Sequence, residues 1–498
     1  LAVQRAALKR TMTERALPDI LALVNQLGPA LEQRARTRVN DIISQLIALK
    51  APMGEQWQQL AYIAFSHGEI RLARQAMDQL VAAQGGGHVA QYQKAGFLSL
   101  LGAWGDADAL LRTLPETVPD PVNNMFSRGT AALHLGRIAE AQDYLERVTR
   151  MRPQAGLAWY SLAMSADLAQ ETDLAERLIA AGRVMDRGMP AERVAYQYAL
   201  GKAHAERGDH AAAFAAFTHG AALLKPSLSY NRAADAADAA RAIEGYDAER
   251  IAALAGAQRE PTGRTIFVTG LPRSGTTLVE HILTSHSAVS DGGEVARLFM
   301  LAGEAGGGSP SALAQHVEAH GAASIARLWH HWLDEQFPGS RRVVDKTVDA
   351  SRFLGLAAAL LPEAPLIWVT RDPLDRAWSC FRTNFSGSAV PWSYDLEDIA
   401  AHFRLEDRLL AQWQAILGDR LLVLSYEALV SDPMTWIRRI LTHCGLAEEP
   451  QVFAPHENKR TVVTASMVQV RRPINRDGIG TAEPYRAFLK PFIDAYYG

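Results

Sequence analysis

Cysteine is nearly missing from this 498-residue chain: only Cys380 and Cys444 occur, far apart and in no metal-ligand or redox spacing. That excludes a disulfide framework and a cysteine-built zinc site, and a reducing, cytoplasmic compartment fits best. No apolar run approaches the roughly 18 residues that a membrane span needs, so none is expected. The first twenty residues carry Arg5, Lys9, Arg10 and Arg15 and lack the continuous apolar core of a secretory signal. Neither sign of charge dominates. A formal net charge of −3 argues against a surface that coats nucleic acid, while saying nothing about a local basic pocket. With 48% hydrophobic and 21% charged residues, the composition is that of a packed protein and excludes a disordered or fibrous one. Single cores usually stop at about 100–200 residues, so at least two units are expected.

The first half has few β-branched runs and is rich in alanine, leucine and glutamine. Shifted by thirty-four residues, it matches itself. Gly68, Gly102 and Gly136 fall on that period, as do Ala73, Ala107, Ala141 and Ala175 and the large apolar Met77, Leu111, Leu145 and Ile179. A further copy, Gly208, Ala213 and Phe217, keeps the internal spacing after an insertion of about four residues. The pattern predicts helical hairpins: a glycine relieves strain at the turn, and an alanine on the second helix permits close approach. One hairpin cannot bury its own faces, whereas a stack shares a continuous core. Trp57, Trp159 and Pro153 fit the same scheme, which resembles tetratricopeptide repeats over Gly54 to Lys225. The resemblance implies a scaffold, either structural or able to bind a protein partner.

At Gln258 to Thr265 (QREPTGRT) the grammar changes, and strands begin to alternate with helices. Strands are expected at Thr265–Thr269, Val343–Asp345, Leu366–Thr370 and Arg420–Leu424, with helices at Thr277–Thr284 and Leu354–Leu361. The expected organisation is an all-α domain over 1–257, clearest in its repeats over 54–225, and an α/β domain over 262–498. The latter should carry a mostly parallel sheet with a ligand at the carboxyl ends of its strands.

Directly after the first strand stands Gly270-Leu-Pro-Arg-Ser-Gly-Thr-Thr277, a glycine-bounded turn feeding a helix. Such a turn aims backbone N–H groups and the helix dipole at an anion. An ATP-binding P-loop would carry lysine where Thr276 stands, and here Arg273 supplies the positive charge instead. PRSGTT before an apolar helix resembles the 5′-phosphosulfate loop of sulfotransferases, in particular the tyrosylprotein type and its bacterial relatives. A second match is Trp368-Val-Thr-Arg-Asp-Pro-Leu-Asp-Arg-Ala-Trp-Ser379, similar to the family's 3′-phosphate site.

The resemblance implies a P-loop-like sulfotransferase domain whose co-substrate is 3′-phosphoadenosine 5′-phosphosulfate, with no metal. It places Arg273, Ser274, Gly275, Thr276 and Thr277 on the 5′-phosphosulfate, and Arg371 and Ser379 on the 3′-phosphate. Tyr426, in Tyr426-Glu-Ala-Leu-Val-Ser-Asp-Pro433, would lie near the cofactor, with Glu427 beside it as contact or as helix start. In the closing stretch Thr464 to Asn475, Ser466 would meet the sulfate or bridging phosphate, and Arg471 or Arg472 would cover the cofactor.

Sulfuryl transfer needs a base for the acceptor's proton and cations for the charge that develops on oxygen. Glu294, in Asp291-Gly-Gly-Glu294, matches the family's base; His281 and His286 are its rivals. Lys346, after the second expected strand, together with Arg273, is the cation for the leaving group. The acceptor is expected to be a hydroxyl of a protein or peptide tyrosine, a glycan or a small phenol. Trp392, Tyr394 and the stretch Phe385 to Tyr394 are candidates for its border. Two other readings compete: a repeat scaffold whose transferase chemistry has lapsed, and a P-loop kinase, which Thr276 disfavours.

Overall fold

The computed structural model describes residues 17–294, 296–339, 341–347, 350–385, 390–458 and 472–498. The chain divides into two compact units, Leu1–Leu135 with His331–Pro338, and Gly136–His330 with Gly339–Gly498. The change of sequence grammar at 258–265 lies inside the second unit. It marks a switch of secondary structure, whereas compactness follows packing.

The first unit is built from helices. In Ile70–Ala83 the buried residues Ile70, Ala73, Ala76, Met77 and Leu80 recur three to four apart, so one stripe faces the core. Trp57, from the preceding helix Gln56–Ser66, joins the same cluster. Gly68 and Gly102 close their turns with φ of +78° and +73°, a conformation that costs a residue with a Cβ roughly 1–2 kcal/mol. Ala73 and Ala107 are wholly buried. Within this unit the Trp332 indole donates to the His67 carbonyl at 2.9 Å.

The helical part of the second unit follows the same rules. Gly136 and Gly208 have φ of +75° and +79°, and Ala141, Ala175 and Ala213 are fully buried. One expected core position is corrected. Ile179 is 36% exposed, and Leu178 beside it is buried in its place. The helix Thr172–Ala180 ends two residues before Gly182, and its stripe runs through Leu174, Ala175 and Leu178.

Helices Pro190–Glu206 and His210–Leu224 approach closely because glycines face aromatic rings. A Cβ on Gly201 would sit 2.6 Å from the Phe217 ring. Gly201→Ala should therefore lower stability by about 1–3 kcal/mol, as overpacked cores do, and a thermal melt of the full chain checks this. An unchanged melting temperature would show that the Phe217 ring yields freely.

Among the described residues five strands follow: β1 (Thr265–Thr269), β2 (Val289–Asp291), β3 (Arg342–Asp345), β4 (Leu366–Thr370) and β5 (Leu421–Ser425). They form one sheet in the order β2-β3-β1-β4-β5, and every pairing is parallel, with Thr265 opposite Val343 and Phe267 opposite Leu366. The mostly parallel sheet expected from the sequence is present. The three-residue β2 was not anticipated, being too short to show alternation, and β5 starts one residue later than expected.

Parallel strands end on one side, so the segments following β1 to β5 share a rim. Those segments are the glycine loop, Gly292-Gly-Glu294, Lys346, Arg371 and Tyr426. The rim is thus the place where residues scattered over some 160 positions can converge, an arrangement that parallel sheets use repeatedly for ligands.

The hairpin 190–224 packs onto this α/β region inside the second unit. Phe217 meets Trp378 edge-on at 5.6 Å, Tyr198 meets Tyr394 at 6.4 Å, and Trp378 stacks on Tyr485 at 3.8 Å. Each buried aromatic contributes about 1.5–3 kcal/mol. The expected linker is itself held: buried Gln258 donates to the carbonyls of Ala322 and Leu360 at 3.0 and 3.2 Å. Among the described residues no helix is long and apolar enough to cross a membrane.

Candidate functional site

The glycine loop works because two positions admit no side chain. At Gly270, φ +141°, a Cβ would lie 2.4 Å from the Val369 carbonyl oxygen, and at Gly275, φ +99°, it would lie 2.7 Å from the Tyr426 ring. Arg273 itself takes a left-handed φ of +68°, a strained choice that functional loops tolerate. Ser274 is buried and its hydroxyl turns back to the Leu271 carbonyl, so it braces the loop from inside. The helix Thr276–Thr284 then begins at Gly275, and its first N–H groups lack intrahelical partners by construction.

Arg371 leaves β4 and ties the loop to two other segments. Its Nη1 donates to the Arg273 carbonyl at 2.8 Å, its Nη2 to the Gly478 carbonyl, and its guanidinium lies 4.9 Å from the Tyr426 ring centre. Its Nε is buried without a hydrogen-bond partner among the described residues. Ser379, expected on the same phosphate, accepts from Arg273 Nε at 2.9 Å, which leaves its own proton to donate. Tyr426 thus touches both the loop and Arg371. Glu427 is a brace, accepting the Asp372 N–H at 2.9 Å.

The structure adds Arg382, which the sequence reading passed over. It stands three residues beyond Ser379, a spacing that puts both on one side of a helical turn, and that spacing was the available signal. Burial first, and then repulsion from Arg273 and Arg371, push its guanidinium down to about 10. Burial also lowers Arg273, with Arg371 adding to it. Among the described residues neither Arg371 nor Arg382 has a carboxylate within ion-pair distance. Cations gathered this closely under burial repel one another, and an anion that joins them relieves that cost.

The second cluster stands on the other side of the loop, around β3. Gly292 donates its N–H to the Val344 carbonyl at 2.8 Å, and a Cβ there would fall 2.4 Å from the same oxygen. Gly293 donates to Asp291, and the Lys346 N–H returns to the Gly293 carbonyl at 3.1 Å. This double tie brings Glu294 into an ion pair with Lys346, whose ammonium also lies 3.8 Å from Glu280. Lys346 and Glu280 are buried, while the Glu294 side chain is 40% exposed. Desolvation of Lys346 is outweighed by these carboxylates, Glu280 first and then Glu294, so its proton is held more tightly than in water. Glu280 was also missed, although a charged residue four positions after Thr276 in an otherwise apolar turn marks it.

The rival histidines take packing positions. His286 uses both ring nitrogens on backbone, Nε2 at 3.1 Å from the Ala447 carbonyl and Nδ1 accepting the Ala288 N–H at 3.0 Å. His281 is fully buried on the helix Thr276–Thr284. Trp392 stacks on His402 and Tyr394 bonds Phe385, both buried in the core that includes Trp378. Ser466 and Arg471 lie outside the described residues. Arg472 is exposed, and the tail beyond it is pinned where Asp375 accepts the N–H groups of Gly480 and Ala482 at 2.7 and 2.8 Å.

An uncharacterized protein of Aquifex aeolicus (strain VF5) is 26% identical to this chain over 403 residues, which is 78% of this chain and 52% of the relative. The chain thus spans about half the length of the curated relative it matches. Among solved structures, the sulfotransferase domain of the Synechococcus PCC 7002 olefin synthase is 19% identical, covering 46% of this chain and 97% of that one at a TM-score of 0.31. A MamA fragment from Desulfovibrio magneticus RS-1 is 18% identical, covering 35% of this chain and 98% of that one at a TM-score of 0.28. Residues 265–450, which include the glycine loop, Glu294, Lys346 and Arg371, match the model of the Sulfotransferase family, and the C-terminal region therefore carries a domain of that family.

Proposed function

We propose that this chain transfers a sulfuryl group from 3′-phosphoadenosine 5′-phosphosulfate to a hydroxyl acceptor. The observation that carries this reading is the gathering of Arg273, Arg371 and Arg382, with Arg273 bonded to Ser379 and the buried Arg371 Nε lacking a hydrogen-bond partner among the described residues. In the reaction Arg371, Arg382 and Ser379 hold the 3′-phosphate. Gly275, Thr276 and Thr277 offer N–H groups to the 5′-phosphosulfate, and Arg273 spans the two ends. Tyr426 closes one wall; Ser466 is assigned to the sulfate or bridging phosphate, and Arg471 or Arg472 to covering the cofactor.

Glu294 removes the acceptor's proton as the new O–S bond forms and the S–O bond to the phosphate breaks. Lys346 neutralises the charge left on the departing oxygen. The cations are side chains throughout, so the reading requires no metal. The acceptor we favour is a protein or peptide tyrosine, with a glycan or small phenol as alternatives. The segment 1–257 is read as a tetratricopeptide-repeat solenoid that orients the acceptor or a protein partner, and 262–498 as the transferase. Left-handed glycines at Gly68, Gly102, Gly136 and Gly208 support the solenoid. A reducing, cytoplasmic setting fits Cys380 and Cys444, two buried free thiols pushed up to about 12 by burial.

Calorimetric titration of the full chain with 3′-phosphoadenosine 5′-phosphate tests the reading, with ATP plus magnesium as control. Expected are tight binding of the bisphosphate, little of ATP, and transfer of labelled sulfate to a tyrosyl peptide or a phenol. Preference for ATP would turn the site into a kinase, and binding of neither would leave the repeats as the working part.

A further inference from the structure

Lys346 lies between two carboxylates that differ in every other respect. Glu294 is 40% exposed, follows the Gly292-Gly293 turn, and must exchange partners to receive a proton. Glu280 is 3% exposed on the first turns of the helix Thr276–Thr284, which the glycine loop feeds directly. A lysine paired with Glu294 alone would lose its counter-ion at the moment Glu294 turns to the acceptor, and a buried ammonium without a partner sheds its proton readily. Glu280 supplies a counter-ion that does not leave.

We propose that Glu280 is a positioning residue for sulfuryl transfer, its buried carboxylate holding the Lys346 ammonium beside the glycine loop while Glu294 exchanges that ion pair for the acceptor's proton. The inference rests on the transferase reading above. The helix register supports it. Glu280 follows Thr276 by four residues, so the carboxylate lies on the same face as a loop threonine assigned to the phosphosulfate. The other charges at Lys346 are accounted for: Asp345, next to it on β3, is engaged by the buried Arg297 at 3.3 Å, and Arg297 also donates to the Gly292 carbonyl. Glu280 and Glu294 are thus the two carboxylates within 4 Å of the ammonium among the described residues.

In the chemical step, the acceptor's proton passes to Glu294, the acceptor oxygen bonds sulfur, and the phosphate oxygen leaves with its electron pair. Lys346 meets that pair as a hydrogen-bond donor, and Glu280 keeps it charged and in place. The arginine cluster assigned to the 3′-phosphate stands on β4 and the helix after it, so Glu280→Gln should weaken the bisphosphate only slightly, through its 5′-phosphate.

The test uses the full chain with Glu280→Gln, which keeps shape and removes charge, and Glu280→Asp. Two readouts are taken: titration of the Lys346 ε-carbon resonance by NMR, assigned with Lys346→Arg, and the pH profile of kcat with a tyrosyl peptide. Expected in Glu280→Gln is a Lys346 midpoint lower by about one pH unit or more, and a kcat lower by at least about tenfold. Its high-pH limb should move down with the lysine, and the affinity for 3′-phosphoadenosine 5′-phosphate should change by less than about threefold. Glu280→Asp should recover part of kcat and of the midpoint. An unmoved Lys346 titration in Glu280→Gln, beside an active wild type, overturns the role of Glu280 alone. So does loss of bisphosphate binding and melting temperature together with no recovery by aspartate, which marks a structural residue. A wild type that neither binds the bisphosphate nor turns over overturns the transferase reading itself, whatever Lys346 does.

Discussion

Arg371→Ala should weaken binding of 3′-phosphoadenosine 5′-phosphate by about a hundredfold to a thousandfold while leaving the unliganded chain folded. Its guanidinium is a planar fork with one buried nitrogen uncommitted, and a fork-to-phosphate contact is worth about 3–4 kcal/mol where each tenfold costs about 1.4. Removing it has opposing effects on stability. The hydrogen bonds to Arg273 and Gly478 are lost, but so is the repulsion among three neighbouring cations. The melting temperature should therefore move by only a few degrees. Arg371→Lys should fall between, because lysine keeps the charge but not the fork. Calorimetry on the three proteins decides it, and an unchanged affinity for Arg371→Ala would remove the 3′-phosphate from this place.

Glu294→Gln should lower kcat by about a hundredfold to ten-thousandfold, the usual contribution of a general base. Bisphosphate binding should be retained, because the arginine cluster is built on a different strand end. Glutamine keeps the shape and a hydrogen bond to Lys346 but cannot take a proton. The histidine that could stand in is committed elsewhere: His286 has both ring nitrogens on backbone groups. Full activity in Glu294→Gln would therefore send the search for a base to the acceptor's own surroundings. Together the two variants separate binding from chemistry, since one should lose the ligand and the other only turnover.

Short-range signals in the chain were informative where backbone conformation depends on one residue. The glycines of the loop, Gly270 and Gly275, and those of the repeat-like turns are legible because each takes a positive φ that residues with a Cβ rarely adopt. Four strands could be placed because apolar β-branched runs between turns have few other uses. The three-residue β2 gave no such run. Ile179 misled because an apolar residue on a period is not thereby buried, and a shift of one position put Leu178 into the core. Arg382 and Glu280 were overlooked for a related reason. Their importance lies in what stands beside them, and helix spacing alone gives arginines and glutamates to solvent far more often than to a site.

By itself the sequence determined the glycine loop, the arginine after β4, the acid after the paired glycines and the helical character of the first half. Each of these is local, fixed by steric or hydrogen-bonding needs within a few residues. Only the tertiary structure decided that Arg382 joins Arg273 and Arg371, that Lys346 lies between Glu280 and Glu294, and that the hairpin 190–224 packs on Trp378 within the same compact unit. The physical reason is that charge pairing and core packing act through space. Residues far apart in the chain meet where a parallel sheet brings all its strand ends to one rim.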